Sequence, residues 1–132
     1  MDDPALDIEA IKAEPEKWVI KPTDWYDNIG VYVGPQFSVE EWSKIVDDCI
    51  AKKAGLDASA YILQEFCKPQ YVEVIPLYGN EEDFTAPPKS YGCLTGMFCF
   101  NGKFAGIFNR LSPYINVTEP GKTIYSPTLW VK

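Results

Sequence analysis

The sequence predicts an α+β fold, in which helices and antiparallel strands occupy different parts of the chain. Short apolar segments bounded by Gly and Pro predict strands, and a segment with helical spacing lies between the second and third of them. Further along, Asn101-Gly102 separates two apolar runs and predicts a β-hairpin with a type I′ turn. The expected order is α-β-β-α-β, then strand, hairpin and strand, in two lobes over residues 1–67 and 68–132.

The remaining elements follow from apolar spacing and from the positions of Pro and Gly. Residues 4–14 predict a short helix that Pro15 ends. Pro22 restricts Lys21, at the end of the first strand, to an extended backbone. Outside the hairpin, strands are predicted over 17–21, 31–33, 61–66, 71–77 and around 125–131, and loops over 23–30 and 78–88.

The best-defined element is a helix that begins after Ser38. Ser38 and Glu41 have the spacing of a capping box, in which each side chain accepts a backbone N–H of the other residue. Gly55 is the expected residue just beyond the helix end. Six apolar residues recur at helical spacing and predict a stripe that packs into the core: Val39, Trp42, Ile45, Val46, Cys49 and Ile50.

The hairpin turn predicts which residues pair across the two strands. An uninterrupted register pairs Cys93 with Arg110 and puts Arg110 on an otherwise apolar face. A charge there needs a partner, and either a carboxylate such as Glu119 or a bound phosphate would serve. The other expected pairs are Phe100–Lys103, Cys99–Phe104, Phe98–Ala105, Met97–Gly106, Gly96–Ile107 and Thr95–Phe108.

Composition and charge argue against several classes of function. The 132 residues, 46% of them apolar, suit one globular domain with a core. The net charge of −7 argues against nucleic-acid binding, because proteins that neutralise phosphates carry a basic surface. No apolar run reaches the ~18 residues of a membrane span, and the start MDDP is unlike a signal peptide. We therefore expect a cytoplasmic protein without nucleic-acid or membrane partners.

The cysteine and acidic residues give little support for a metal site. The cysteines form no C-x-x-C pair, and the chain has no histidine to complete a zinc site or to act as a catalytic base. We expect all four to be reduced and mostly buried: Cys49, Cys67, Cys93 and Cys99. The acidic residues of the two predicted loops are interpreted as solvated: Asp24 and Asp27 in the first loop, and Glu81, Glu82 and Asp83 in the second. The acidic residues of the second loop could alternatively bind a cation.

Three features of the first lobe could together hold a nucleotide. Lys21 offers a positive charge to a phosphate, and the loop that closes on Gly30 can offer backbone N–H groups. Gln64-Glu65, at the end of a later strand, can hydrogen-bond an adenine edge. Each feature alone is also typical of a solvent-exposed strand end or turn. Their order and spacing favour the nucleotide interpretation.

With Arg110 at the end of the hairpin, these motifs resemble the C-terminal part of ATP-grasp enzymes. The likeness is to the circularly permuted branch that includes glutathionylspermidine synthase-like proteins, and it covers roughly residues 14–131. The motifs that carry it are WVIKP at 18–22, IGVYVG at 29–34, SVEEW at 38–42, YILQEF at 61–66 and GMFCFNGKFAGIFNR at 96–110.

The resemblance implies the ATP-binding part of a carboxylate–amine ligase that works through an acyl-phosphate, with ATP and Mg²⁺. Lys21 would contact phosphate, and Arg110 would be the catalytic residue that stabilises charge on the transferring phosphoryl group. The flexible loop over the phosphates would contain Asn28, Ile29 and Gly30. The adenine-binding hinge would consist of Gln64, Glu65, Phe66 and Cys67.

The sequence departs from the family in two respects. Its loop DWYDNIG has one glycine where the family has several, which leaves the backbone less free to wrap phosphates. The family's magnesium carboxylates lie upstream of the matched region, so we expect an upstream segment or a second polypeptide to complete the site. The alternatives are a non-catalytic nucleotide-binding or partner-binding module with an ATP-grasp ancestry, and a small α+β interaction protein whose motif match is coincidental.

Overall fold

A computed structural model of the chain describes residues 5–52, 60–75, 85–115 and 123–126. The fold is of the predicted α+β class, with two antiparallel sheets and few helices. The chain divides into two compact units, Met1–Cys67 and Lys68–Lys132. No helix in the described ranges is long and apolar enough to cross a membrane.

The first unit packs two helices against a three-stranded antiparallel sheet of order β2-β1-β3. Its strands begin and end within one residue of the predicted positions, whereas both helices are shorter than predicted. The elements are α1 (Ile8–Ala13), a 3-10 turn (Pro15–Lys17), β1 (Trp18–Pro22), β2 (Tyr32–Val33), a second 3-10 turn (Gly34–Gln36), α2 (Val39–Ile50) and β3 (Tyr61–Glu65).

Local hydrogen bonds set both ends of α2. Ser38 Oγ accepts the N–H of Glu41, and the Glu41 carboxylate accepts the N–H of Ser38, so the predicted capping box is confirmed. At the other end Ala51 caps the helix, and Lys52 has a left-handed φ of 56°. The helix therefore ends before Gly55, which was expected just beyond its end and which lies outside the described residues.

One buried cluster holds the first unit together: Ile11, Ile20, Trp42, Val46, Cys49 and Tyr61. Trp42 and Ile20 are fully buried, and the Trp42 indole N–H donates a hydrogen bond of 3.0 Å to the carbonyl oxygen of Ile11. The middle of the predicted α2 stripe is thus core. Val39 and Ile50, the first and last residues of the helix, are exposed instead.

The two 3-10 turns approach each other so closely that only glycine fits at position 34. A Cβ atom on Gly34 would lie 1.9 Å from the carbonyl oxygen of Pro15 and 2.8 Å from that of Trp18. Both obstacles are backbone atoms, which cannot rotate away as a side chain can. The missing side chain of Gly34 therefore lets the turn before α2 pack against the turn before β1.

The second unit is a four-stranded antiparallel sheet of order β4-β5-β6-β7. Asn101 and Gly102 have φ values of 48° and 72°, as the predicted type I′ hairpin turn requires. Residues 127–131 of the predicted last strand lie outside the described ranges, as does most of the predicted loop over 78–88. The strands are β4 (Gln70–Val74), β5 (Lys89–Phe100), β6 (Lys103–Ser112) and β7 (Ile124–Ser126).

The predicted hairpin register is right at the turn and wrong beyond it. Phe98 pairs with Gly106 rather than with Ala105, because Ala105 is an extra residue in β6 that forms a β-bulge. Gly106 has a φ of 153°, which glycine adopts without a steric penalty. The two pairs next to the turn are as predicted: Phe100–Lys103 and Cys99–Phe104.

The bulge moves Arg110 to the other face of the hairpin from the one predicted. Arg110 pairs with Leu94 rather than with Cys93, because every pair beyond Ala105 is shifted by one residue. The remaining shifted pairs are Met97–Ile107, Gly96–Phe108, Thr95–Asn109, Cys93–Leu111 and Gly92–Ser112.

We predict that Trp42→Ala lowers the free energy of unfolding by about 3–5 kcal/mol, because truncating a buried aromatic side chain leaves a cavity. The change also removes the hydrogen bond to Ile11. Chemical denaturation followed by circular dichroism measures the loss.

Tyr26→Ala is the matched control for this measurement. Tyr26 is 76% exposed, so its truncation should change stability by less than about 0.5 kcal/mol. A loss below about 1 kcal/mol for Trp42→Ala would contradict the burial of this side chain.

Candidate functional site

Lys21 and Gln64 lie on the same face of the first sheet. In the antiparallel register of β1 and β3, Lys21 pairs with Ile62, and Val19 pairs with Gln64. Directly paired residues point to the same side of a sheet. Because Ile20 is buried in the core, strand alternation turns Lys21 and Gln64 to the face opposite the helices. Two of the predicted nucleotide contacts are therefore close together.

The side chain of Glu65 points to the opposite face, but its backbone lies at the open edge of the sheet. β3 is an edge strand, and within the described ranges no strand pairs with its outer side. Phe66 N donates to Lys17 O at 2.7 Å, and Thr23 N donates to Ala60 O, so the residues on either side of β3 direct these backbone groups toward β1. In an antiparallel pair every second residue does so, and in β3 these are the even-numbered residues. By this alternation the N–H and C=O of Glu65 point outward. They offer the donor and the acceptor that an adenine edge needs.

The other two predicted hinge residues follow β3 directly. Phe66 is half-buried, and its N–H is used in the bond to Lys17. Cys67 is exposed.

The loop after β1 is held by turns. Ile29 N and Val31 N each donate to the carbonyl three residues earlier, at 3.1 and 3.2 Å. Asp27, Asn28 and Gly30 have left-handed φ values of 54°, 60° and 73°. Asp and Asn tolerate this conformation better than most residues. They therefore take positions in this loop that glycine would otherwise occupy.

Gln64, Lys21 and the start of the loop follow one another along β1. Gln64 lies beside Val19, and Lys21 lies two residues further along β1, about 7 Å away at the rise of a strand. The loop over 23–31 begins directly after β1, at the Lys21 end. A ligand on this face can have its base at the Gln64 end and its phosphates beside Lys21 and the loop.

Ile62 and Val19 lie on the same face as Lys21 and Gln64, although the sequence motifs did not identify them as candidates. Ile62 is 38% exposed although it is a large apolar side chain, and it lies directly opposite Lys21. With Val19 it forms an apolar surface between Lys21 and Gln64, on which a flat base can rest. The alternation of core and outward positions in YILQE was the signal that could have identified Ile62.

Arg110, the predicted catalytic residue, lies in the second unit on β6. It is half-buried, and its guanidinium carbon lies 4.9 Å from the centre of the Phe108 ring, in a cation–π contact. The Phe108 ring covers Gly96, where a Cβ would be 2.2 Å from it, and stacks on Phe98 with ring centres 4.9 Å apart. Among the described residues no carboxylate pairs with Arg110. Glu119, the alternative partner, lies outside them.

Acidic side chains do not converge in the described part of the chain. No group of three Asp, Glu, Cys or His side chains that could hold a metal ion occurs there. Asp24 and Asp27 are exposed in the loop, and the acidic residues 81–83 lie outside the described ranges. The described residues therefore do not fit a magnesium site.

The four cysteines differ in exposure, and the expectation that most are buried is wrong. All four are free thiols: Cys49 is buried, Cys93 is half-buried, and Cys67 and Cys99 are exposed. Cys99 lies near a hairpin turn and Cys67 follows an edge strand, where little else packs over a side chain. Burial raises the pKa of the Cys49 thiol to about 11, and the nearby Asp48 carboxylate adds to this effect.

Comparison with known protein families, with curated proteins and with solved structures finds no match to this chain. The resemblance to ATP-grasp enzymes therefore rests on the motifs in the sequence.

We predict that Cys67 and Cys99 react rapidly with Ellman's reagent in the native protein at about pH 8, Cys93 slowly, and Cys49 only after unfolding. The thiolate is the reacting species, and the raised pKa keeps Cys49 protonated. Above pH 8, any reaction of Cys49 in the native protein should therefore rise steadily with pH and level off only near pH 11. The absorbance of the released thiolate, with single Cys→Ser variants to assign each phase, measures these rates. Labelling of Cys49 as fast as Cys67 would contradict its burial.

Proposed function

We propose that the chain is the ATP-binding part of an ATP-grasp carboxylate–amine ligase that works through an acyl-phosphate. The observation that carries the proposal is that Lys21 and Gln64 share the sheet face opposite the core, with the loop over 23–31 at the Lys21 end. The motifs WVIKP and YILQEF, which carry the resemblance, supply these residues.

Each part of the face has a distinct chemical task in this proposal. The outward N–H and C=O of Glu65 and the amide of Gln64 hydrogen-bond the adenine edge, while Ile62 packs against the base. Lys21 neutralises phosphate charge as a compact ammonium group. Asn28 and Gly30 lie in the loop beside the phosphates. Phosphoryl transfer depends mainly on positioning and positive charge, and these are the properties that such a face provides.

Arg110 is the proposed catalytic residue of the second unit. Its guanidinium has no carboxylate partner within the described ranges, so its charge is available to a phosphoryl oxygen. The contact with Phe108 fixes the direction of the side chain without neutralising it.

Magnesium ligands are assigned in this proposal to a second polypeptide or to a further segment, because the described residues hold no suitable acidic cluster.

The same observation favours a second candidate function, a non-catalytic nucleotide-binding or partner-binding module derived from an ATP-grasp fold. Adding a polypeptide that supplies an Asp and a Glu-x-Asn motif separates the two. Gain of Mg²⁺-dependent ATP turnover supports the ligase, and unchanged ATP binding without turnover supports the module.

We predict that Lys21→Ala weakens ATP binding about tenfold or more, because a hydrogen bond to a charged group contributes roughly 1.5–3 kcal/mol. The fold should be retained, since Lys21 lies on the face opposite the core. Isothermal titration calorimetry with ATP and Mg²⁺ measures the affinity.

Lys44→Ala is the matched control, because Lys44 is an exposed lysine of α2 and its loss changes the net charge equally. It should leave the ATP affinity within about twofold. Equal affinities for wild type and Lys21→Ala would remove Lys21 from the site.

We also predict that the 132-residue chain by itself binds ATP weakly, in the high-micromolar range, and does not turn it over. Without ligands for the metal, the triphosphate charge is poorly neutralised and the γ-phosphoryl group is not positioned. A coupled assay for ADP release measures turnover. Sustained Mg²⁺-dependent hydrolysis by the purified chain, abolished by Lys21→Ala, would show that the site is complete.

A further inference from the structure

The tip of the β5–β6 hairpin exposes large apolar side chains on both of its faces. Met97 is 71% exposed, Phe98 49%, Phe100 72% and Phe104 62%. The pairings put Phe98 and Phe100 on one face, and Phe104 with Met97 on the other. Soluble proteins seldom expose so many neighbouring apolar groups, and where they do the patch commonly marks an interaction site.

The tip is a two-stranded ribbon within the described part of the chain. β4 pairs with β5 only as far as Cys93, and β7 pairs with β6 only over Asn109–Leu111. The pairs from Gly96–Phe108 to Phe100–Lys103 have no third strand beside them, over a length of about 13 Å. A two-stranded ribbon is only marginally stable in water. It gains stability when another surface covers its apolar side chains.

The hairpin differs in charge from the rest of the chain. Residues 89–112 contain no Asp or Glu, and their charged side chains are Lys89, Lys103 and Arg110. The other residues carry nine basic and nineteen acidic side chains, a net charge of −10. The hairpin as a whole thus carries a net charge of +3, of which Lys103 supplies the +1 of the two-stranded tip, and it is complementary to the acidic remainder of another copy of this chain.

We propose that the hairpin docks on a second copy of this chain, on an acidic surface outside that copy's own hairpin. Packing tip against tip would oppose the two Lys103 charges with no carboxylate of either hairpin to offset them, so reciprocal docking of each hairpin on the acidic remainder of the other copy, about a two-fold axis, is the favoured arrangement. A polyanion such as a nucleic acid or an anionic membrane would attract the ribbon, but it would repel the remaining −10 of charge.

Sedimentation velocity across about 1–200 µM protein tests the proposal, with a reductant present so that the exposed Cys99 forms no disulfide. Wild type should pass from monomer to dimer in this range. Phe100→Glu with Phe104→Glu should weaken the dimer at least tenfold, because both side chains are mostly exposed and can be replaced without loss of the core. Tyr26→Glu, which alters an equally exposed aromatic residue outside the hairpin, should leave the dimer unchanged.

A second variant and a cross-link keep the test independent of hairpin folding. Lys103→Glu leaves the apolar residues in place and should also weaken the dimer at least tenfold, and added salt should weaken the wild-type dimer. Zero-length carbodiimide coupling in a mixture of ¹⁴N and ¹⁵N protein should join Lys103 to an Asp or Glu of the other isotopic copy. The hairpin holds no carboxylate, so any such link identifies an acceptor outside it.

The proposal is overturned if wild type stays monomeric throughout the concentration range, or if a dimer forms that neither hairpin variant weakens. Inter-copy cross-links confined to residues other than Lys103 also overturn it. Monomeric protein that binds phosphatidylserine vesicles through Phe100 would show that a lipid surface is the occupant instead.

Discussion

The burial of Ile20 against the α2 helix decides which face of the first sheet is available for function. Ile20 and Trp42 are fully buried in the same cluster, and strand alternation then turns Lys21 outward. The register with β3 adds Gln64 to the outward face. A polar pair therefore lies on the face opposite the buried cluster of the unit. Its position depends on the core, although neither side chain belongs to it.

The core in turn depends on contacts that hold α1 and the turn before α2 in place. Helix α1 has six residues, too few to be stable alone, and it is held where the Trp42 indole bonds its Ile11 carbonyl. The close approach at Gly34 fixes where α2 begins. The capping box of Ser38 and Glu41 then starts the helix by satisfying two backbone N–H groups at its first turn. Together these contacts fix the rotation of α2 that puts Trp42 over β1.

Local signals in the sequence predicted the capping box at Ser38 and the Asn101-Gly102 turn, because a few adjacent residues specify each of them, and the order of the predicted elements gave the fold class. The hairpin register beyond Ala105 could not be predicted in this way, since the bulge depends on packing across strands, with the Phe108 ring over Gly96. Gln64 and Glu65, as consecutive residues of a strand, point to opposite faces, but which of them shares the face of Lys21 depends on the register with β1. The sequence named the candidate residues, while non-local pairing determined which of them share a surface.

The loop after β1 shows how a chain can hold a strained turn with a single glycine. Asp27 and Asn28 have left-handed backbones, and two hydrogen bonds across turns hold the segment that ends at Gly30. A loop ordered before binding loses less conformational entropy when a ligand arrives than a glycine-rich loop does. It also adapts less to the ligand's shape. In the proposed nucleotide site such a loop would favour phosphates that lie in one fixed direction from Lys21, and affinity would depend more on that alignment than on loop closure.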